Sequence, residues 1–115
     1  MELQGLMNKI AENWQFTDFS YPAFRGLEEP ERTERALGHV LLHLQKEVGK
    51  LAKVQERMDH GGGRDTRAEE EAVRDLVVCI LRYAELRSYY GGSIMLMITE
   101  MFARRRVGSA HGPSS

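Results

Sequence analysis

The chain has 115 residues, of which 42% are hydrophobic, and this size suits one compact domain with a modest core. Its 16 basic and 17 acidic residues nearly cancel, so no overall field attracts nucleic acid or an anionic membrane, and a nucleic-acid partner is not expected. No apolar run approaches the ~20 residues of a membrane span and the N-terminus lacks a signal-peptide pattern, so we expect a cytoplasmic protein that binds no membrane.

The first predicted helix covers about residues 2–14. Its apolar residues recur at helical spacing and predict that Trp14 belongs to the core. They are Leu3, Leu6, Ile10 and Trp14. Residues 15–29 contain several aromatic side chains without a helical period, which predicts an ordered connection that packs on the helices or lines a pocket.

A long second helix is predicted from Pro30 to about Met58, because proline followed by Glu31 is a favourable helix start. Apolar residues form one stripe along it, as expected of a helix that lies on a core. The stripe consists of Leu37, Val40, Leu41, Leu44, Val48, Leu51 and Val54. The glycine run 61–63 ends this helix.

The third helix is predicted over about residues 66–90, with Asp65 or Thr66 as its N-cap. Gly91 and Gly92 then break the chain, and Ser93 caps a last helix. Because no segment alternates like a strand, we predict a single all-α domain over residues 1–106, a bundle of about four helices. The Gly- and Ser-rich tail, 107–115, is predicted to be disordered.

The third helix has apolar residues of its own on more than one face. One face carries Val73, Leu76, Val77, Ile80, Leu81 and Ala84. Val78 and Cys79 lie well outside that face, so the helix is predicted to be buried on two sides, which a chain of this size achieves most simply as a homodimer or homotetramer. Cys79, the only cysteine, is interpreted as a buried structural thiol in a reducing compartment.

The side chains that could bind a metal or a substrate lie on the second and third helices. His43, Glu47 and Lys50 form a ridge beside the apolar stripe of the second helix, and Glu71 and Asp75 are one turn apart on the third. Acids that repel each other near apolar neighbours favour a bound cation, and Mg²⁺ suits carboxylates with water and phosphate. The alternatives are an exposed Glu47–Lys50 pair and a solvated acidic helix start.

These segments resemble the all-α, MazG-like nucleotide pyrophosphohydrolases. The stretch HLQKEVGKLAK at 43–53 is similar to the family segment that carries an ExxE motif, and EEAVRDLV at 70–77 is similar to the segment that carries ExxD. The stretch 81–106, with its glycine pair and basic last helix, resembles the end of the family's bundle. The resemblance covers roughly residues 35–106 and implies Mg²⁺-dependent hydrolysis of a nucleoside triphosphate to monophosphate and pyrophosphate.

By this resemblance Glu47 and Asp75 are catalytic metal ligands. Glu71, or alternatively Glu70, is expected to serve as a reserve metal ligand for the acid position that Ala72 occupies. Lys50 and Ala72 stand where the family has its other two acids, and Lys50 is expected to contact substrate phosphate instead. The expected substrate is a nucleoside triphosphate, and non-canonical nucleotides are included in this expectation. The alternative is a catalytically silent bundle of the same fold that binds a nucleotide or a protein partner.

Two other patterns in the sequence carry weaker signals. His39 and His43 have the i,i+4 spacing of zinc-binding helices but lack further ligands at supporting spacing, so an ordinary helical pair is the preferred interpretation. The run 104–106 is all arginine, which is expected to complement the helix dipole rather than to bind nucleic acid.

Overall fold

The computed structural model describes residues 1–108, with side chains as far as Arg105. These residues form four α-helices: α1 (Leu3–Asn13), α2 (Glu31–Asp59), α3 (Thr66–Leu86) and α4 (Gly91–Gly108). Residues 1–108 contain no strand, so the predicted all-α class is confirmed. Residues 107 and 108 of the predicted tail continue α4, and the rest of that tail lies outside the described residues.

The antiparallel pair α2 and α3 makes the largest helix–helix contact of the chain. Asp65 is the N-cap of α3, and its side chain accepts a hydrogen bond from the backbone N–H of Ala68 at 3.1 Å. The seam between the helices is formed by small or medium side chains. The buried ones are Val40 and Val54 on α2, with Ala72 and Cys79 on α3.

A second core joins α1 to α3 and the start of α4. Met7, Ile10 and Leu81 are buried there, with Ile94 packed beside them. Gly91 lies so close to α1 that a Cβ atom would come within 2.7 Å of the Gln4 backbone nitrogen. The Gly91 N–H also donates to Gln4 Oε1 at 2.6 Å, so this glycine fixes where α4 leaves α1.

The aromatic connection between α1 and α2 is ordered and held by two arginines. Arg32 donates to the carbonyl of Phe16 at 2.7 Å and to the carbonyl of Phe24 at 2.9 Å. The buried Arg82 of α3 donates to the carbonyl of Trp14 at 3.0 Å and lies over the Phe16 ring. Trp14 is only half-buried, so its predicted place in the core is borne out in part.

Several helical faces differ from expectation. Helix α3 ends at Leu86 rather than near residue 90, and α4 begins at Gly91, with the Ser93 hydroxyl accepting from the Tyr90 N–H inside the first turn. Much of the predicted core face of α3 is exposed in the single chain, as are parts of the α2 stripe. The exposed residues are Leu41, Val48, Val73, Val77 and Ile80. The predicted core face is therefore wrong at these positions. The side of α3 that this chain buries carries Ala72, Cys79, Leu81 and Arg82.

No helix within residues 1–108 is long and apolar enough to cross a membrane.

Candidate functional site

Glu47 is the most unusual side chain of the α2–α3 seam. It is only 4% exposed, although its neighbours along the seam are apolar. Oε1 accepts a bond from the Lys50 ammonium at 3.1 Å, and Lys50 itself is about half exposed. Oε2 is buried with no hydrogen-bond partner. A buried carboxylate oxygen without a partner is costly, and such a group points to a missing ligand or a strained site.

Asp75 faces the same region from α3. The Arg74 guanidinium donates to its carboxylate at 2.9 Å, and this hydrogen bond is the main reason that the pKa of Asp75 lies below its usual range. Lys50 also lowers that pKa, while burial opposes the shift. Lys50 thus bonds the Glu47 carboxylate directly and also favours the charged form of Asp75.

Cys79 is a buried residue of α3, and its thiol is affected by the same two carboxylates. Burial raises the pKa of its thiol above the ordinary value, and the negative charges of Glu47 and then Asp75 raise it further. As predicted, Cys79 is free and buried. Its high pKa disfavours the thiolate that a nucleophilic cysteine would need.

A basic cavity of about 310 Å³ opens beside these residues. Lys50, Lys53 and Arg57 line it from α2 at the i, i+3, i+7 spacing of one helical ridge. Asp65 and Glu71 line it from α3. Only Lys50 of this ridge was singled out from the sequence. The spacing of Lys53 and Arg57 was visible there, but nothing indicated that they share a cavity.

The predicted acids are thus brought to one region without forming a closed ligand set. Glu71 lines the basic cavity, yet its carboxylate pairs with Arg67 at 3.4 Å and is half exposed. No three Asp, Glu, His or Cys side chains in the described part of the chain are grouped closely enough to hold a metal ion. In this arrangement each inner carboxylate faces a cation from its own helix, Lys50 for Glu47 and Arg74 for Asp75.

Comparison with known family models, curated proteins and solved structures finds no match to this chain. The resemblance to MazG-like proteins therefore rests on the motif residues alone.

A second cluster, of aromatic and histidine side chains, lies at the N-terminal half of α2. The two imidazoles of His39 and His43 approach with their Nε2 atoms 3.1 Å apart, as expected of a hydrogen-bonded helical pair in which one ring donates. Trp14 and Tyr21 pack edge-on against these imidazoles. Burial, and then the charge of His43, hold the pKa of His39 below its usual range.

This second cluster borders an open, mostly apolar cavity of about 740 Å³. Tyr21, Phe24 and His39 line one side, and Glu34 and Arg35 line its rim. Sequence analysis predicted an aromatic connection that could line a pocket. It did not identify His39 as part of that wall, because the contact between His39 and Tyr21 joins two segments that are 18 residues apart in sequence.

At the far end of the chain, the Arg105 guanidinium lies 6.0 Å from the centre of the Phe102 ring. The side chain of Arg106 lies outside the described residues.

Proposed function

We propose that the chain is a Mg²⁺-dependent nucleoside triphosphate pyrophosphohydrolase whose metal site is the Glu47–Asp75 region of the α2–α3 seam. The observation that carries this proposal is the buried, unpartnered Oε2 atom of Glu47. Glu47 is too deeply placed to be the exposed i,i+3 partner of Lys50 that the sequence left as an alternative. A divalent cation would supply the partner that this oxygen lacks.

The residues present fit such a cation. Mg²⁺ commonly takes one or two protein carboxylates and completes its shell with water and substrate phosphates. Glu47 would bind through Oε2, Asp75 would bind from the opposite helix, and Glu71 is the reserve ligand at the cavity edge. When bound, the cation would neutralise phosphate charge and lower the pKa of a bound water.

The side chains that would bind the phosphates form a basic ridge on α2, made of Lys50, Lys53 and Arg57. These residues place three cations along a cavity that Glu71 also lines, and Lys50 connects this cavity to Glu47 through their ion pair. Charge-assisted bonds from such side chains hold phosphate oxygens, and arginine can do so with two parallel bonds. A polyphosphate chain that enters this cavity would bring its negative charge to Lys50, which could then leave Glu47 for the phosphate.

A second candidate function is nucleotide binding without hydrolysis. Its support is that Lys50 already bonds one oxygen of Glu47, and Arg74 donates to both oxygens of Asp75. If these pairs persist, the site repels a cation while the basic ridge still attracts phosphate. The cytoplasmic location expected from the sequence is consistent with either function and stays a prediction.

The test is product analysis with a panel of canonical and modified nucleoside triphosphates, with and without Mg²⁺. We expect monophosphate and pyrophosphate in the presence of Mg²⁺. Glu47→Gln or Asp75→Asn should lower the activity by more than about 10-fold, because even the loss of a side chain that only orients a metal ligand costs about 10–100-fold. Glu56→Gln, an exposed change on the same helix, is the matched control and should keep the activity. Nucleotide binding without pyrophosphate release would support the non-catalytic function. If the protein neither binds nor hydrolyses any nucleotide, both proposals are overturned.

A further inference from the structure

The imidazole rings of His39 and His43 lie one turn apart on α2 and converge at their outer nitrogens. The ring centres are 4.7 Å apart, whereas the two Nε2 atoms are only 3.1 Å apart. The two rings therefore lean toward each other at Nε2. Both side chains are half-buried, so the nitrogens are neither sealed in the core nor freely moving at the surface.

The separation of these two nitrogens is that of two ligands on one transition metal. With a metal–nitrogen distance of about 2.0–2.1 Å, two imidazole nitrogens lie about 3.3 Å apart at a tetrahedral angle and about 2.9 Å apart at a right angle. The observed 3.1 Å lies between these values. In the hydrogen-bonded pair one ring donates from Nε2. If that ring carries its proton on Nδ1 instead, both Nε2 atoms offer a lone pair to the same point.

Two aromatic side chains hold the imidazoles in this arrangement. The Trp14 ring packs edge-on against His43 at 5.4 Å, and the Tyr21 ring packs edge-on against His39 at 4.9 Å. Trp14 Nε1 donates to the Tyr21 hydroxyl at 2.7 Å, which joins the two supports. Ligands whose orientation is fixed in advance bind a metal more tightly, because less side-chain freedom is lost on binding.

Protonation and access also suit a cation. Burial, and then the charge of His43, keep the pKa of His39 below its usual range, so that its imidazole is in the neutral, metal-binding form at neutral pH. His39 also lines the open cavity of about 740 Å³, which gives the pair access to solvent. The other charged residues that line this cavity are two acids and one base, Glu31, Glu34 and Arg35, so its lining does not repel a cation.

We propose that His39 and His43 bind one transition-metal cation of the Zn²⁺, Ni²⁺ and Cu²⁺ class through both Nε2 atoms. Imidazole nitrogens suit these metals, whereas Mg²⁺ prefers oxygen ligands. Within the described residues no third Asp, Glu, His or Cys joins the pair, so water or a small anion from the cavity completes the metal's shell. Such open positions make the cation exchangeable rather than structural. This site does not depend on the proposed function, because neither Glu47 nor Asp75 takes part in it.

The test is quenching by Ni²⁺ of the fluorescence of Trp14, the only tryptophan of the chain. The Trp14 ring packs against His43, so a paramagnetic ion on the imidazoles lies close enough to quench it. Excess Mg²⁺ is present throughout to occupy oxygen sites, so a failure of the proposed hydrolytic site would not affect the result. We expect quenching that saturates at one Ni²⁺ per chain and is reversed by a chelator.

His39→Gln and His43→Gln should each raise the Ni²⁺ dissociation constant by more than about 10-fold, because even a side chain that only orients a metal ligand contributes about 10–100-fold. The matched control is His60→Gln. His60 is exposed at the C-cap of α2, about 25 Å along the helix from His43, and its loss should leave the dissociation constant unchanged.

A second measurement on the wild type covers the case in which a histidine variant fails to fold. In ¹⁵N NMR spectra, Zn²⁺ should shift the Nε2 signals of His39 and His43 and leave both rings protonated on Nδ1. Imidazole signals that Zn²⁺ does not change would overturn the proposal. The same holds if a folded His39→Gln or His43→Gln binds Ni²⁺ as tightly as the wild type, or if His60→Gln weakens binding as much as they do.

Discussion

Replacing Glu47 with methionine should stabilise the metal-free protein, although the change deletes an ion pair. Methionine has nearly the same length and helix propensity as glutamate, so the backbone of α2 should be unaffected. It places apolar atoms in a seam whose other buried residues include Val40, Val54 and Cys79. The variant therefore isolates the cost of keeping a carboxylate in that position.

The expected magnitude follows from the two oxygens of Glu47. Oε2 is buried without a partner, and removing such a group relieves about 1–3 kcal/mol. Oε1 pairs with Lys50, which is half exposed, so this bond contributes only about 0–1 kcal/mol. The net gain is about 1–2 kcal/mol. With a urea dependence of about 2 kcal/mol per molar, the midpoint should rise by about 0.5–1 M.

The assay is urea unfolding followed by circular dichroism, in chelator and at one fixed protein concentration. Glu56→Met is the control, since Glu56 is exposed on the same helix, and its effect should stay within about 0.5 kcal/mol. Added Mg²⁺ with a non-hydrolysable triphosphate should stabilise the wild type but not Glu47→Met. If Glu47→Met instead lowered the free energy of unfolding by more than about 1 kcal/mol, the carboxylate would be a stabilising group and the reasoning would fail.

Three further outcomes are expected. His39 should titrate below the usual histidine range by NMR, because burial and then the charge of His43 lower its pKa. The free energy of unfolding should therefore be highest above about pH 6.5 and should fall as the pH drops below that value. This fall should be smaller in His39→Gln. Burial raises the pKa of Cys79, so the thiol should react slowly with disulfide reagents until urea unfolds the chain. For the same reason the free energy of unfolding should decline above about pH 8.5, and Cys79→Ala should remove this decline. Gly91→Ala should destabilise the chain because its Cβ meets the backbone of Gln4, whereas Gly49→Ala, with open space inside α2, should stabilise it by about 0.5–1 kcal/mol in thermal unfolding.

Local signals accounted for most helix boundaries. Pro30 and Asp65 were recognised as helix starts because capping depends on a few adjacent residues. The end of α3 was missed, because the chain leaves the helix at Ser88 with a φ of 67°, a conformation that no glycine signalled there. The buried side of α3 was also misjudged. Apolarity predicts which residues avoid water, but not whether their own chain or another covers them.

The candidate site was foreseen only in part. The helical wheel placed Glu47 on the shoulder of the apolar stripe, close to its buried position in the seam. The pairing of Arg74 with Asp75 was not foreseen, because adjacent residues on a helix point in different directions and only rotamers bring them together. Arg82 was likewise missed, since its contact with the Trp14 carbonyl spans most of the chain.

The central claim is that the buried Glu47 carboxylate binds a divalent cation together with a triphosphate. Water-proton relaxation by Mn²⁺, used in place of Mg²⁺, detects protein-bound metal without turnover. With a non-hydrolysable triphosphate, the wild type should hold one Mn²⁺ per chain, and Glu47→Gln should lose most of this binding while Glu56→Gln keeps it. Equal Mn²⁺ binding by the wild type and Glu47→Gln, or none by either, would contradict the account.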